Sequence, residues 1–192
     1  MTAARCAVRL ARADELDAAG RAVRSAYEQD GHADGGYLGT LADARDRSRD
    51  AEVAVAVTPD GEIIGSVTFA LPGSRWAERS TPGEAEFRML GVLPSARGLG
   101  AGGALVDWCV NRAHQLGCHR LILSTLPQMA PAHRLYTARG FARRPDLDWA
   151  PEDGVLLLCY ILELDGDAVA STSGPGDGRS GTVTPGTASE PA

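Results

Sequence analysis

The chain has 192 residues, a formal net charge of −6 and a pI near 5.2, which is one domain's length with room for a real core and none for a second domain. The acidic balance argues against nucleic acid, which calls for a basic stripe, and suits a cationic small molecule better. Cys6, Cys109, Cys118 and Cys159 stand singly in apolar segments without C-x-x-C spacing, so buried thiols are expected rather than a disulfide frame or a metal site. Met1 to Leu10 lacks the apolar run of a signal peptide, and no later stretch reaches membrane-spanning length. A cytoplasmic location is expected.

Ala7 to Leu10 reads as a short strand. Asp14 is a plausible start for a helix whose Leu16, Ala19, Val23 and Tyr27 recur at helical spacing, and the glycines between 31 and 36 break it. A more polar helix is expected from about Leu38 to Arg49. Ala51–Val57 and Ile63–Leu71 read as a hairpin turning at Pro59-Asp60-Gly61. A loop with Trp76 follows, then a strand from Glu84 to Leu93. A long helix from Gly100 to Leu116 carries Ala101, Leu105, Trp108, Cys109 and Leu116 on one face, and Gly117 stops it. Leu121–Leu126 is a strand, Pro131–Arg139 a short helix and Val155–Leu164 a last strand. Strands before and after intervening helices imply a mixed α/β sheet. From Asp165 the composition turns to Gly, Ser, Thr, Pro and Asp, so the expected organisation is a domain over 1–166 and a disordered tail over 167–192.

The richest stretch is Met89 to Leu105, where an apolar strand runs through glycines into a helix. Amides of Gly98, Gly100, Gly102 and Gly103 can close around phosphate oxygens at the positive end of the helix dipole. Gly98, Gly100 and Gly103 satisfy G-x-G-x-x-G, but Arg120 stands where a dinucleotide fold wants an acid, and no Lys-Ser or Lys-Thr closes a nucleotide-phosphate loop. What fits is Arg97-x-x-Gly100-x-Gly102 after Val92-Leu93-Pro94, which resembles the acetyl-CoA signature of the GNAT N-acetyltransferase superfamily. Ala132-His133-Arg134-Leu135-Tyr136 through Gly140-Phe141 resembles its second landmark. Met129 departs from the family pattern, which often has Asn there.

The resemblance covers about residues 5–165. It implies an α/β (α+β) fold with a mixed, mostly antiparallel central sheet flanked by helices and a splayed strand pair holding the cofactor. It implies acetyl-CoA as cosubstrate, a small-molecule or peptide amine as acceptor, and direct attack in a ternary complex. The cofactor set becomes Leu90, Gly91 and Val92, whose amides face the pantetheine arm, with Arg97, Gly98, Leu99, Gly100, Ala101, Gly102 and Gly103 at the phosphates. Gly91 fits such close backbone approach, against a harmless packing glycine. Tyr136 is the candidate acid for the leaving thiolate. Alternation places Glu86, Arg88, Leu90 and Val92 on one strand face. Glu86 is the candidate base, against an ion pair with Arg88; Glu84 and a water chain are the substitutes. His133 reads as solvated, and Trp76 and Trp149 as loop aromatics of an acceptor pocket or caps on the core. The alternative function is a catalytically weak acyl-CoA sensor of the same fold. Homodimers are common in the family, and the sequence leaves the oligomeric state and the acceptor open.

Overall fold

The computed structural model describes residues 6–33 and 35–164. The expected tail over 167–192, and the end of the expected domain, lie outside the described residues.

Strand β1 (Ala7–Leu10) leads into helix α1 (Leu16–Gln29), which starts later than Asp14 suggests. The Glu15 carboxylate precedes the helix and accepts from both terminal nitrogens of Arg9, each at 2.6 Å, and from the Arg12 N–H at 2.8 Å. It fixes the strand-to-helix turn and caps no helical amide. The polar helix expected over 38–49 is two, α2 (Gly35–Ala42) and α3 (Ala44–Arg47), because the Asp43 carboxylate accepts from the Asp46 N–H at 2.9 Å and starts a new turn. Arg47 is fully buried, its Nη1 donating to the carbonyls of Thr40 and Leu41 and so satisfying the end of α2.

The sheet runs β1, β2 (Glu52–Val57), β3 (Ile63–Ala70), β4 (Glu84–Val92), β5 (Arg120–Thr125), β8 (Val155–Glu163) and β6 (Ala142–Arg143), with β7 (Trp149–Glu152) beside β8. Every pairing is antiparallel except β4 with β5. The short β6 and β7 fall in a stretch too polar to signal strands. Helix α4 (Ala101–Gln115) packs Leu105, Val106 and Cys109 on one side of the sheet, and α1 packs on the other. Leu116, expected on the buried stripe of α4, is 40% exposed, since it caps the helix where Gly117 turns away at φ +70°. All four cysteines are buried and free.

One irregularity organises the molecule. Gly65 faces Val92 and Ser66 faces Gly91, but Thr68 faces Arg88, so Val67 stands opposite both Met89 and Leu90. This is a β-bulge, and Met89 takes φ +52°, the one positive φ outside glycine among the described residues. The pairing of β4 with β5 ends just before it. Their parallel ladder covers only Glu84–Phe87 against Arg120–Leu123, although both strands continue.

Candidate active site

The bulge overturns the expected alternation. Ala85 and Phe87 pack in the cluster under α4, and beyond the bulge Leu90 and Val92 join them. Met89 instead packs with Val23 and Leu41 on the α1 side, where Gly91 also points. Glu86 and Arg88 therefore do not share a face with Leu90 and Val92, because one extra residue in the strand reverses the phase.

The same register refines the backbone assignments. The Leu93 N–H donates to the Ile64 carbonyl at 2.8 Å, and alternation in an antiparallel ladder then turns the N–H of Gly91 toward β3 and those of Leu90 and Val92 toward the open side. Of the three amides expected along a pantetheine arm, that register turns two, Leu90 and Val92, to the open side of the strand. Gly91 lacks a side chain for another reason: a Cβ there would lie 2.7 Å from the Val23 Cα.

At the start of α4, none of the N–H groups from Gly98 to Gly103 donates to an acceptor among the described residues; the first bond is Ala104 N–H to Gly100 C=O. Gly98 and Gly100 sit at φ +80° and +84°, conformations that strain other residues, and a Cβ on either meets nothing within 4 Å. Leu99 and Ala101 complete six consecutive free amides at the positive end of a helix dipole, an arrangement suited to an anion. Gly103 does double duty, because a Cβ on it would collide with the Arg139 guanidinium that pairs Asp107. Arg97 is already engaged, donating to both carboxylate oxygens of Asp30 at 3.0 and 2.7 Å.

On the other face of β4, a cleft of about 810 Å³ is walled by Tyr27, His32, Tyr37, Glu78, Glu86, Arg88, Thr125 and the β7–β8 hairpin. Glu86 is 2% exposed, and its Oε2 accepts from the N–H groups of Arg79 at 2.8 Å and Ser80 at 3.1 Å. Burial lifts its pKa above the ordinary carboxylate range, against the pull of those N–H donors and the Arg88 charge. Arg88 pairs with Glu78 at 2.8 Å rather than with Glu86. Glu84, the substitute base, is committed elsewhere: burial opposes its ionisation, but Thr81 and Arg120 hold its pKa low.

Tyr136 lies on the α4 side, its ring 5.9 Å from Phe87, 6.0 Å from Phe141 and 6.2 Å from Tyr160. Burial pushes its phenol pKa well up, so it stays protonated at any working pH. The two candidate catalytic groups thus lie on opposite faces of β4. His133 is not solvated; its Nε2 contacts the Leu126 carbonyl at 3.0 Å and its ring lies against Tyr160. Trp149 donates to the Ser124 hydroxyl at 3.1 Å and Trp76 packs beside the Met89 cluster, and neither lines the cleft. Tyr27, His32, Tyr37 and Glu78 also line the cleft; the sequence shows Tyr27 only as part of a helix's apolar stripe, and the other three are ordinary surface types until the fold gathers them.

The model of the acetyltransferase (GNAT) family matches residues 19–141, a span holding the bulge, the glycine cradle and the Tyr136 helix. The chain belongs to that family. Among curated relatives, mycothiol acetyltransferase of Arthrobacter sp. (strain FB24) is 33% identical over 102 residues, 52% of this chain and 30% of that protein. The Cellulomonas flavigena enzyme of the same name is 39% identical over 87 residues, 44% of this chain and 25% of its own length. The chain thus spans about a third or less of these relatives. Ribosomal-protein-alanine N-acetyltransferase from Brucella melitensis superposes with TM-score 0.60 at 21% identity, covering 82% of this chain and 99% of that one. A Salmonella typhimurium protein solved with its cofactor acetyl-CoA gives TM-score 0.61 at 21% identity, over 87% and 98%. Those likenesses establish the GNAT fold. Among the described residues no helix is long and apolar enough to cross a membrane.

Proposed function

We propose that the chain is an N-acetyltransferase moving an acetyl group from acetyl-CoA to a primary amine by direct attack, both substrates being bound at once. The observation that carries this reading is the run of six unbonded amides, Gly98 to Gly103, following a strand whose ladder with β5 ends at Phe87. The open space at Gly98 and Gly100 fits a pyrophosphate, and the N–H groups of Leu90 and Val92, turned by the register to the open side of β4, fit the arm that would follow it.

Acetyl-CoA supplies an acyl group activated as a thioester. The chain's own residues do the rest. The N–H groups on the open side of β4 stabilise negative charge developing on the carbonyl oxygen. Glu86, facing the cleft with its pKa raised, takes the proton that an ammonium acceptor must lose before its nitrogen attacks. Tyr136, held protonated, is the candidate donor to the departing thiolate. Release of free thiol from acetyl-CoA, followed against a panel of amines, tests the assignment. Amine-dependent release supports transfer; tight acetyl-CoA binding without release for any amine would favour a sensor.

A further inference from the structure

Resting on the transfer reading above, we propose that Arg88 selects the acceptor by its carboxylate, so that the amine is carried by a small amino acid or a close analogue. Glu86 and Arg88 alternate on one face of β4 and both line the cleft, two residues or roughly 7 Å apart along the strand. An acceptor whose nitrogen sits at Glu86 has its neighbouring atoms under a guanidinium. A second ammonium there is repelled, which disfavours diamines and polyamines, whereas a planar carboxylate matches the guanidinium fork.

Arg88 is also short of partners. Its side chain is only 15% exposed, and its Nη1 is shut off from solvent 2.8 Å from Glu78 yet out of line for a hydrogen bond. The charge of Glu78 offsets the burial of the guanidinium, which stays protonated, and a carboxylate entering the cleft can supply the aligned acceptors that Glu78 does not. Glu78 belongs to the loop before β4 and is 34% exposed. It neutralises Arg88 without filling its hydrogen-bonding fork, so an incoming carboxylate can displace it.

The experiment compares three acceptors of one skeleton, leucine, leucinamide and isoamylamine, by thiol release, and by calorimetric titration into the protein holding CoA. Leucine should exceed both others by about tenfold to a hundredfold in kcat/KM and in affinity, the range of a charge-assisted bidentate bond. Arg88→Gln should bring those ratios within about threefold of one, its folding checked by circular dichroism. Glu78→Gln, on an exposed loop, should lower the KM for leucine by removing the competitor, and it serves if the Arg88 variant does not fold. Leucinamide or isoamylamine used as well as leucine, or a preference that survives Arg88→Gln, would overturn the proposal and leave acetyl transfer standing. No thiol release with any amine would overturn the transfer reading and this one with it.

Discussion

Gly91 of β4 lies so close to α1 that a Cβ on it would sit 2.7 Å from the Val23 Cα and 3.3 Å from its carbonyl oxygen. The contact is backbone against backbone, so neither side can turn a side chain aside. It also presses together the strand and helix that flank the cleft. Gly91→Ala should therefore cost about 1–3 kcal/mol, the range of an overpacked core, read from urea denaturation. An unchanged midpoint would show that α1 is free to move off the strand.

The glycines of the cradle should respond in the opposite sense, through binding rather than folding. Gly100→Ala and Gly100→Glu both force a side chain onto φ +84°, a shared strain of about 1–2 kcal/mol. Only Glu brings negative charge to the amides. Acetyl-CoA affinity by calorimetry should fall much further for Glu than for Ala, with similar melting temperatures. Equal losses in the two variants would remove the anion cradle from the account.

Glu86 couples acidity to stability. A carboxyl whose folded-state pKa is raised holds its proton more readily when folded, so the cost of ionising it is fully present above the raised value and vanishes as pH falls to its ordinary value of 4.5. Glu86→Gln should be more stable than the parent at pH 8, and that gain should shrink toward pH 4. Its turnover should lose the alkaline-side rise of the pH–rate profile. A gain that grew at low pH would mean that Glu86 is stabilised as an anion.

Glu15 provides the reverse case. Hydrogen bonds from Arg9 lower its pKa to about 2, so its stabilisation is present above 4.5 and is lost as pH falls toward 2. Glu15→Gln should lower the melting temperature at pH 7 and match the parent near pH 2. A pH-independent difference would assign its effect to packing at the β1–α1 turn.

Tyr136→Phe keeps the ring among Phe87, Phe141 and Tyr160 and removes only the hydroxyl. Turnover should fall by about a hundredfold to ten-thousandfold, the range of a lost general acid, with acetyl-CoA affinity near the parent's. Unaltered turnover would return Tyr136 to the core.

Six of the strands, the long helix and the glycine turn that leads into it were legible because each rests on local chemistry: period-two apolar runs, Gly117 at a helix end, glycines ahead of a helix. The bulge was not read, although β4 carries a trace of it. Polar residues at 84, 86 and 88 set one phase, and Leu90 and Val92 break it without an intervening turn, which is how one extra residue looks in a buried strand. Nothing in methionine itself announces φ +52°. The cleft was the least legible part. Tyr27, Tyr37, Glu78 and Arg88 come from four separate segments, and only the packing of α1 and α2 on β4 makes them neighbours.

On the proposed function, the amides from Gly98 to Gly103 hold a pyrophosphate. Calorimetric titration with acetyl-CoA and with acetyl-pantetheine, which keeps the thioester and lacks the pyrophosphate, tests it most directly. Acetyl-CoA should bind at least about tenfold more tightly, as expected for an anion on a helix N-terminus with several charge-assisted bonds. Equal affinity for the two compounds would contradict the account.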